Sequence, residues 1–456
     1  MLELRAVMER ELEVATQNRS RTGSISGPMS VISAPLPIRI PTVVAPPLRV
    51  SFSWSFFGWV GYAGCQWLML SVLAKFGNPT VVGQFAFALA ISAPAFMFTN
   101  LNLRGVQSTD ALREYCFPDY ISLRFIGSTS ALVVVVAICP FLKLAHGALL
   151  VILLVALFKF LESFGDVIAG LMQKYEMLAS AAIALLLRGG LSIVLFAVTF
   201  ALWHDLPLAL LVWVICAGAI IAAYDFRVAR RLAVYEGGTT LRFSWKQLQG
   251  LALTSLPLGF VGAIGSFNTN IPRYTIQHVL SVSDLGIFAS IAYPVTAATI
   301  IANSLGQSAL ARLSRLFAEG RIREFRHLVL KLIAFGAGLG ILAVTIVLAS
   351  GNHLLTLLYT PEYAKQGNLF ALLATTAGLN CIGCFLMYAL TAARRFTVQL
   401  PITLACMLNT LLFSTLLVPR LGLIGAAFAL LCSACLSISA AGVVLVQTTR
   451  TRANQC

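Results

Sequence analysis

Charged side chains are scarce. They make up 11% of the 456 residues, less than half of the roughly 25% found in soluble domains. Hydrophobic residues make up 59%, above the roughly 45–50% of soluble chains, and the mean hydropathy is +0.87. So little charge cannot clothe the three domains that this length would suggest at ~150 residues each. The chain must instead be solvated by lipid. Long polar interruptions are also missing. After the first 50 residues the longest gap between apolar runs is residues 225–249, too short for a catalytic or nucleotide-binding domain. Enzyme signatures are absent as well: there is no Gly-x-x-x-x-Gly-Lys-Ser/Thr loop, no His-Glu-x-x-His and no Gly-x-Ser-x-Gly. The five histidines are scattered near span ends and read as interfacial. The sequence therefore calls for no catalytic residue, metal or cofactor.

Ten cysteines are present, eight of them inside apolar runs, which is not the pattern of a disulfide framework. Cys381-x-x-Cys384 and Cys432-x-x-Cys435 have the spacing of a redox or metal pair. No histidine or loop stands near to complete a tetrahedral site, so they read as small packing residues.

Residues 1–50 are polar and rich in Ser, Pro and Arg, and read as a disordered cytoplasmic tail. No short apolar core with a cleavage site follows a basic start, so a signal peptide is not expected. Twelve apolar runs follow, at about 54–76, 80–103, 121–142, 147–172, 178–202, 206–224, 250–275, 285–308, 328–350, 367–392, 398–418 and 423–446. Each is long enough to cross a bilayer as a helix, the form that satisfies its own backbone in hydrocarbon. The expected fold is an all-α polytopic membrane protein of twelve transmembrane helices. Its units are a six-helix bundle over 51–224, a cytoplasmic linker over 225–249, a second bundle over 250–446 and a cytoplasmic tail over 447–456.

The net charge of +15 follows topology and forms no nucleic-acid groove. With the N-terminus inside, 25 of the 32 Lys and Arg fall on inner segments, four on outer segments and three within spans. That bias sets both termini in the cytoplasm. A basic amphipathic stretch over 309–327 reads as a helix lying on the inner leaflet. A short repeat pairs Gly83-x-Phe85-Ala86 with Gly286-x-Phe288-Ala289, and Asn100 with Asn303, at an offset of 203. It suits two parallel six-span halves with a binding site between them.

Polar groups at membrane depth are costly and mark such sites. Lys159, Glu162 and Asp166 share one face of the fourth span, and Arg188 of the fifth span is matched in depth with Glu162. Two readings stand for this cluster: an ion-paired brace that fixes helix register, or a cavity lining whose carboxylates, Glu162 and Asp166, take up a proton or cation. In the seventh span Ser266, Asn270 and Arg273 share a face beside Pro272, which is expected to kink the helix. Interhelical hydrogen bonding would explain the asparagines equally well, whereas Arg273 can grip phosphate oxygens bidentately. Thr296, Thr299, Asn303 and Gln307 line one side of the eighth span.

The ordered segments SFNTNIPRY (Ser266–Tyr274), LGIFASIAY (Leu285–Tyr293), NSLGQ (Asn303–Gln307), LYTPEYA (Leu358–Ala364) and ALTAARRF (Ala389–Phe396) resemble Wzx-type polysaccharide biosynthesis proteins. So do LAKFG (Leu73–Gly77) and the GQFA that begins at Gly83. The resemblance covers roughly residues 55–446. That family belongs to the multidrug/oligosaccharidyl-lipid/polysaccharide (MOP) exporter superfamily. It implies two six-helix bundles around a V-shaped central cavity, opening alternately to each side of a bacterial inner membrane. It implies as substrate an undecaprenyl-diphosphate-linked oligosaccharide, flipped for O-antigen, capsule or exopolysaccharide assembly alongside polymerase and chain-length partners. The basic cavity positions of such flippases match Arg188 and Arg273, with Lys159 as a third. An ion-coupled multidrug exporter of the same superfamily is the alternative, although residues 54–76 hold no carboxylate to carry coupling. A membrane polymerase or ligase of the pathway is a further one, although the longest outer segment, 351–366, holds a single acid, Glu362.

Overall fold

A computed structural model describes residues 48–110, 114–142 and 145–453. The expected tail up to residue 47 lies outside the described residues, as do Arg113 and Lys143. Twelve helices are long and apolar enough to cross a membrane. They are α1 (Leu48–Phe76), α2 (Pro79–Asn100), α3 (Phe117–Ile138), α4 (His146–Lys174), α5 (Leu178–Trp203) and α6 (Leu206–Ile220), then α7 (Trp245–Val279), α8 (Val282–Ala318), α9 (Ile322–Leu358), α10 (Gly367–Ala392), α11 (Phe396–Leu421) and α12 (Leu423–Ala453).

Connections are tight where chain chemistry permits. Asn78 caps α2 by accepting from Val81 N at 3.0 Å, with Pro79 at the first helical position. Ser281 caps α8 in the same way, accepting from Asp284 N at 3.0 Å. The two caps are themselves 203 residues apart.

Within residues 48–233 the pairings are α1–α5, α5–α6, α4–α6, α2–α4, α3–α4 and α2–α3. Within residues 245–453 they are α7–α11, α11–α12, α10–α12, α8–α10, α9–α10 and α8–α9. Each pairing becomes its counterpart on adding six to both helix numbers, so two bundles share one architecture. The bundles meet through α2–α8, α2–α7 and α1–α8.

The ends of the bundles differ. Arg104, Arg227, Arg230, Arg231, Arg394 and Arg395 lie on the connections at the end where α1 and α7 begin, hereafter the basic end. At the opposite end a continuous apolar core joins both bundles, running from Phe85, Phe158 and Trp213 to Phe288, Tyr359 and Phe370. Toward the basic end the core divides in two. One part gathers around Phe117, Tyr120 and Met172, the other around Phe325, Phe385 and Leu390. The bundles thus share one core at one end, while at the basic end they have two cores and touch through α7, whose Leu248 and Leu251 join the first.

The structure adds local detail and corrects the expectation that residues 309–327 lie on a leaflet. The segment 225–249 is mostly helical: α6 passes through a π turn at Ile221–Asp225 into a helix over Phe226–Ala233 and a 3-10 turn to Glu236. The amphipathic stretch from 309 is the continuation of α8, and it buries Leu313 and Leu316 in the second bundle instead of lying on a leaflet. Pro272, like Pro257, sits within a helix that continues on both sides of it. The helix α12 also runs on to Ala453, past the expected boundary at 446.

Candidate functional site

Four ionic groupings lie in the first bundle. Lys159 Nζ is 2.7 Å from Glu162 Oε2, one turn along α4, and Tyr62 of α1 donates its hydroxyl to the same carboxylate. Gln66 Nε2 donates to Tyr62 Oη at 3.0 Å. Asp166 accepts from Arg124 Nη2 at 3.1 Å and has Arg104 Nη1 at 3.7 Å. Arg124 is completely buried and also donates to Asn100. Arg188 is paired with Asp225 of the π turn, the two being 3% and 1% exposed. Glu236 accepts from Lys174 at 2.9 Å and from Tyr175 Oη at 3.1 Å.

Arg188 therefore departs from expectation. Instead of pairing with Glu162 on a cavity wall, it is sealed between α5 and α6 against Asp225. Asp225 lies in the π turn and is buried there with Ile221. A cavity of about 10 Å³ beside Arg188 is lined by Tyr62, Gln66 and Trp213, room for about one water molecule.

The second bundle is chemically different. Its acids are Asp284, Glu319, Glu324 and Glu362, all at helix ends or in connections, so no carboxylate lies at membrane depth. Arg273 is half-buried and donates to Asn270 Oδ1 at 3.1 Å, while Asn270 donates to the Ser266 carbonyl at 2.8 Å. Ser266 and Asn270 are buried, so they orient Arg273 from within and do not line open space. Among the described residues no carboxylate stands within ion-pair distance of Arg273. Asn303 is exposed, with Cys384 and Tyr388 of α10 against its amide oxygen at 3.3 and 3.5 Å.

Sequence reasoning missed Tyr62, Asp225 and the burial of Arg124. Asp225 was hidden by its place at the apparent end of an apolar run. Arg124 was the one legible signal, since it sits inside the run 121–136 and not before it. A groove of about 1020 Å³ between α2, α3 and α7 is lined chiefly by apolar side chains such as Phe87, Ile91, Phe260 and Phe267 and holds none of the expected site residues.

At the closed end, Trp67 Nε1 of α1 donates to Tyr359 Oη at 3.1 Å, and Tyr359 donates to the Ser290 carbonyl of α8 at 2.7 Å. This bolt joins the bundles beside the α2–α8 crossing. On the other flank α7 follows α2 along its length, from Tyr274 donating to the Ala90 carbonyl to Phe260 edge-on to Phe98.

No protein-family model matches the chain. It is similar to the capsular polysaccharide biosynthesis protein CapF of Staphylococcus aureus, 31% identical over 380 residues, which covers 83% of this chain and 94% of that protein. Among solved structures it is similar to a mutant of the Vibrio cholerae MATE transporter VcmN (TM-score 0.61, 13% identity, 89% of this chain and 96% of the other). It also resembles a MOP superfamily transporter from Pyrococcus furiosus (TM-score 0.62, 12% identity, 87% and 95%). A multidrug resistance MATE family transporter in an inward-facing conformation is similar too (TM-score 0.60, 15% identity, 90% and 98%). At these identities the structures establish the fold, which is that of transporters. The chain belongs to the family of polysaccharide biosynthesis proteins that includes CapF, built as a twelve-span membrane protein on the MOP-exporter fold.

Proposed function

We propose that this protein flips undecaprenyl-diphosphate-linked oligosaccharides from the inner to the outer leaflet of the cytoplasmic membrane, supplying repeat units to a capsule or similar polymer. The observation that carries the reading is Arg273: a guanidinium held at depth by Asn270, with no carboxylate partner among the described residues. A buried cation left uncompensated is costly unless an anion visits it. A diphosphate offers such an anion in the bidentate geometry that Arg prefers.

A bilayer admits a polyprenyl tail but rejects sugars and phosphates, so a carrier need supply only a polar path while the tail stays in lipid. Separate cores at the basic end and a fused core at the other support a state open toward the basic end. By the positive-inside bias that end, with both termini, faces the cytoplasm. Kinship with a capsular polysaccharide biosynthesis protein supports the substrate class and, with it, polymerase and chain-length proteins as downstream partners. Glu162, partly exposed and shared between Lys159 and Tyr62, is the coupling carboxylate of this reading, with Asp166 behind it.

The test is Arg273→Gln in the native host. It should abolish surface polymer and accumulate lipid-linked saccharide while the protein stays in the membrane at normal level. Arg273→Lys should retain part of the output. Normal polymer from Arg273→Gln would remove the diphosphate from this position.

A further inference from the structure

The face of α8 that runs from Tyr293 toward the basic end packs in part on α10 and presents no lipid-facing apolar surface. Between Val282 and Ala318, no large apolar side chain is exposed among the described residues. Helix α10 is the same from Gly367 to Ala392. By contrast α9, beside them, exposes Phe335, Ile341, Leu342, Ile346 and Leu348, as a lipid-facing helix must. Between Tyr293 and Gln307 what α8 exposes is polar, Thr296, Asn303 and Gln307, and α10 exposes Asn368, Thr375 and Asn380. Amides turned toward acyl chains would be expensive, so this surface borders the wet gap between the bundles.

Its chemistry is uniform. Asn380, Cys384 and Tyr388 fall at intervals of four on α10, and Cys384 and Tyr388 meet Asn303 of α8. Asn303 in turn donates to the Thr299 carbonyl at 2.9 Å. Gly306 lets the Tyr388 ring lie on the α8 backbone, because a Cβ there would collide with the ring. The wall is neutral throughout, whereas the deep polar groups of the first bundle are charged and mutually compensated.

We infer that this neutral wall of α8 and α10 is a saccharide subsite, reading the hydroxyl and amide groups of an uncharged sugar chain whose diphosphate is held at Arg273. The inference rests on the flippase reading above and divides that site in two. Each Asn and Gln offers a donor and an acceptor on one planar group, which matches the paired donor and acceptor character of vicinal hydroxyls. The Tyr388 ring adds an apolar face beside them. A lipophilic cation finds no carboxylate here. From Tyr293 to Gln307 the wall runs fourteen residues, about 21 Å at 1.5 Å per residue, which accommodates a chain of several sugars below the Arg273 locus.

The experiment compares two ligands on the purified full-length protein in detergent. One is the lipid-linked saccharide extracted from host cells lacking the protein, the other undecaprenyl diphosphate without sugar. The native protein should bind the saccharide-bearing lipid roughly tenfold or more tighter, the worth of one or two net hydrogen bonds. Asn303→Ala and, separately, Gln307→Ala should bring that ratio close to one by weakening the saccharide-bearing lipid. The lipid-facing control Ile341→Ala should keep the native ratio, and Arg273→Gln should weaken both ligands. A native protein that binds the two lipids equally overturns the subsite and leaves the flippase reading standing. So does either alanine variant that keeps the native ratio or loses both ligands in equal measure. If no lipid-linked saccharide accumulates in cells lacking the protein, or the native protein binds neither ligand, the flippase reading itself fails, and the subsite with it.

Discussion

Gly83 of α2 and Gly286 of α8, 203 positions apart in the chain, meet where their helices cross. A Cβ on Gly83 would collide with the Val282 carbonyl, and one on Gly286 with the carbonyl of Pro79 and the amide of Gly83. The contact relates equivalent residues of the two bundles, and it lies at the end where their cores fuse. On the proposed flippase reading it is the natural pivot of rocking between the bundles.

Gly83→Ala and Gly286→Ala should each overpack this pivot, where the obstructing atoms are backbone and cannot step aside. The expected cost is about 1–3 kcal/mol per substitution, read as a lowered thermal transition of the purified protein. Gly442→Ala, where an added Cβ meets nothing within 4 Å, is the control and should leave the transition unchanged.

The buried pair Arg188–Asp225 should behave as a brace. Removing one partner strands a charge in the bundle, so Arg188→Leu or Asp225→Leu alone should cost about 3–5 kcal/mol. Replacing both with leucine should restore much of that loss. Chemical or thermal denaturation of the four proteins closes the cycle. An additive double variant would show that the two charges do not depend on each other.

The wet gap can be probed by thiol accessibility in a background from which the ten native cysteines have been removed. A cysteine at Asn303 should react with a charged, water-soluble reagent applied from the basic end. A cysteine at Ile341, 68% exposed but on the lipid side, should not. Equal protection of both would mean that the α8 face is dry.

Tyr359 bolts α1 to α8, and Tyr359→Phe removes both of its hydrogen bonds. Only the Trp67 bond crosses between the bundles, and at about 1 kcal/mol net its loss should shift the equilibrium roughly fivefold toward opening at that end. A reporter cysteine at buried Ser71, one turn from Trp67, should then label faster from the opposite side. Burial pushes the Tyr359 hydroxyl from 10.0 up to about 12. The raised value means that the protonated bolt is fully in place below about pH 10 and is lost as pH rises toward about 12. Labelling of the native protein should therefore be flat through neutral and mildly alkaline pH.

The spans were legible because a helix in lipid carries its signal locally, in about twenty consecutive apolar residues. The repeat was legible because Gly83 and Gly286 answer the same steric demand twice. Pairings were less so. Tyr62 reaches Glu162 across 100 residues and Arg188 reaches Asp225 across 37, and no local pattern encodes those distances. Asp225 was hidden further by a π turn, since helical periodicity assumes 3.6 residues per turn and the bulge rotates everything after it. Arg273 stood out as a lone arginine in an apolar run, but so did Arg188, whose pairing with Asp225 no local pattern announces.

The most direct test of flipping uses the purified protein in proteoliposomes loaded with labelled lipid-linked saccharide, followed by a membrane-impermeant probe of the sugar. Native protein should expose the inner-leaflet pool to the probe within the assay, and Arg273→Gln should leave that pool protected as in empty vesicles. A native protein that leaves the inner pool protected, while labelling confirms it is folded and inserted, would contradict the proposed activity.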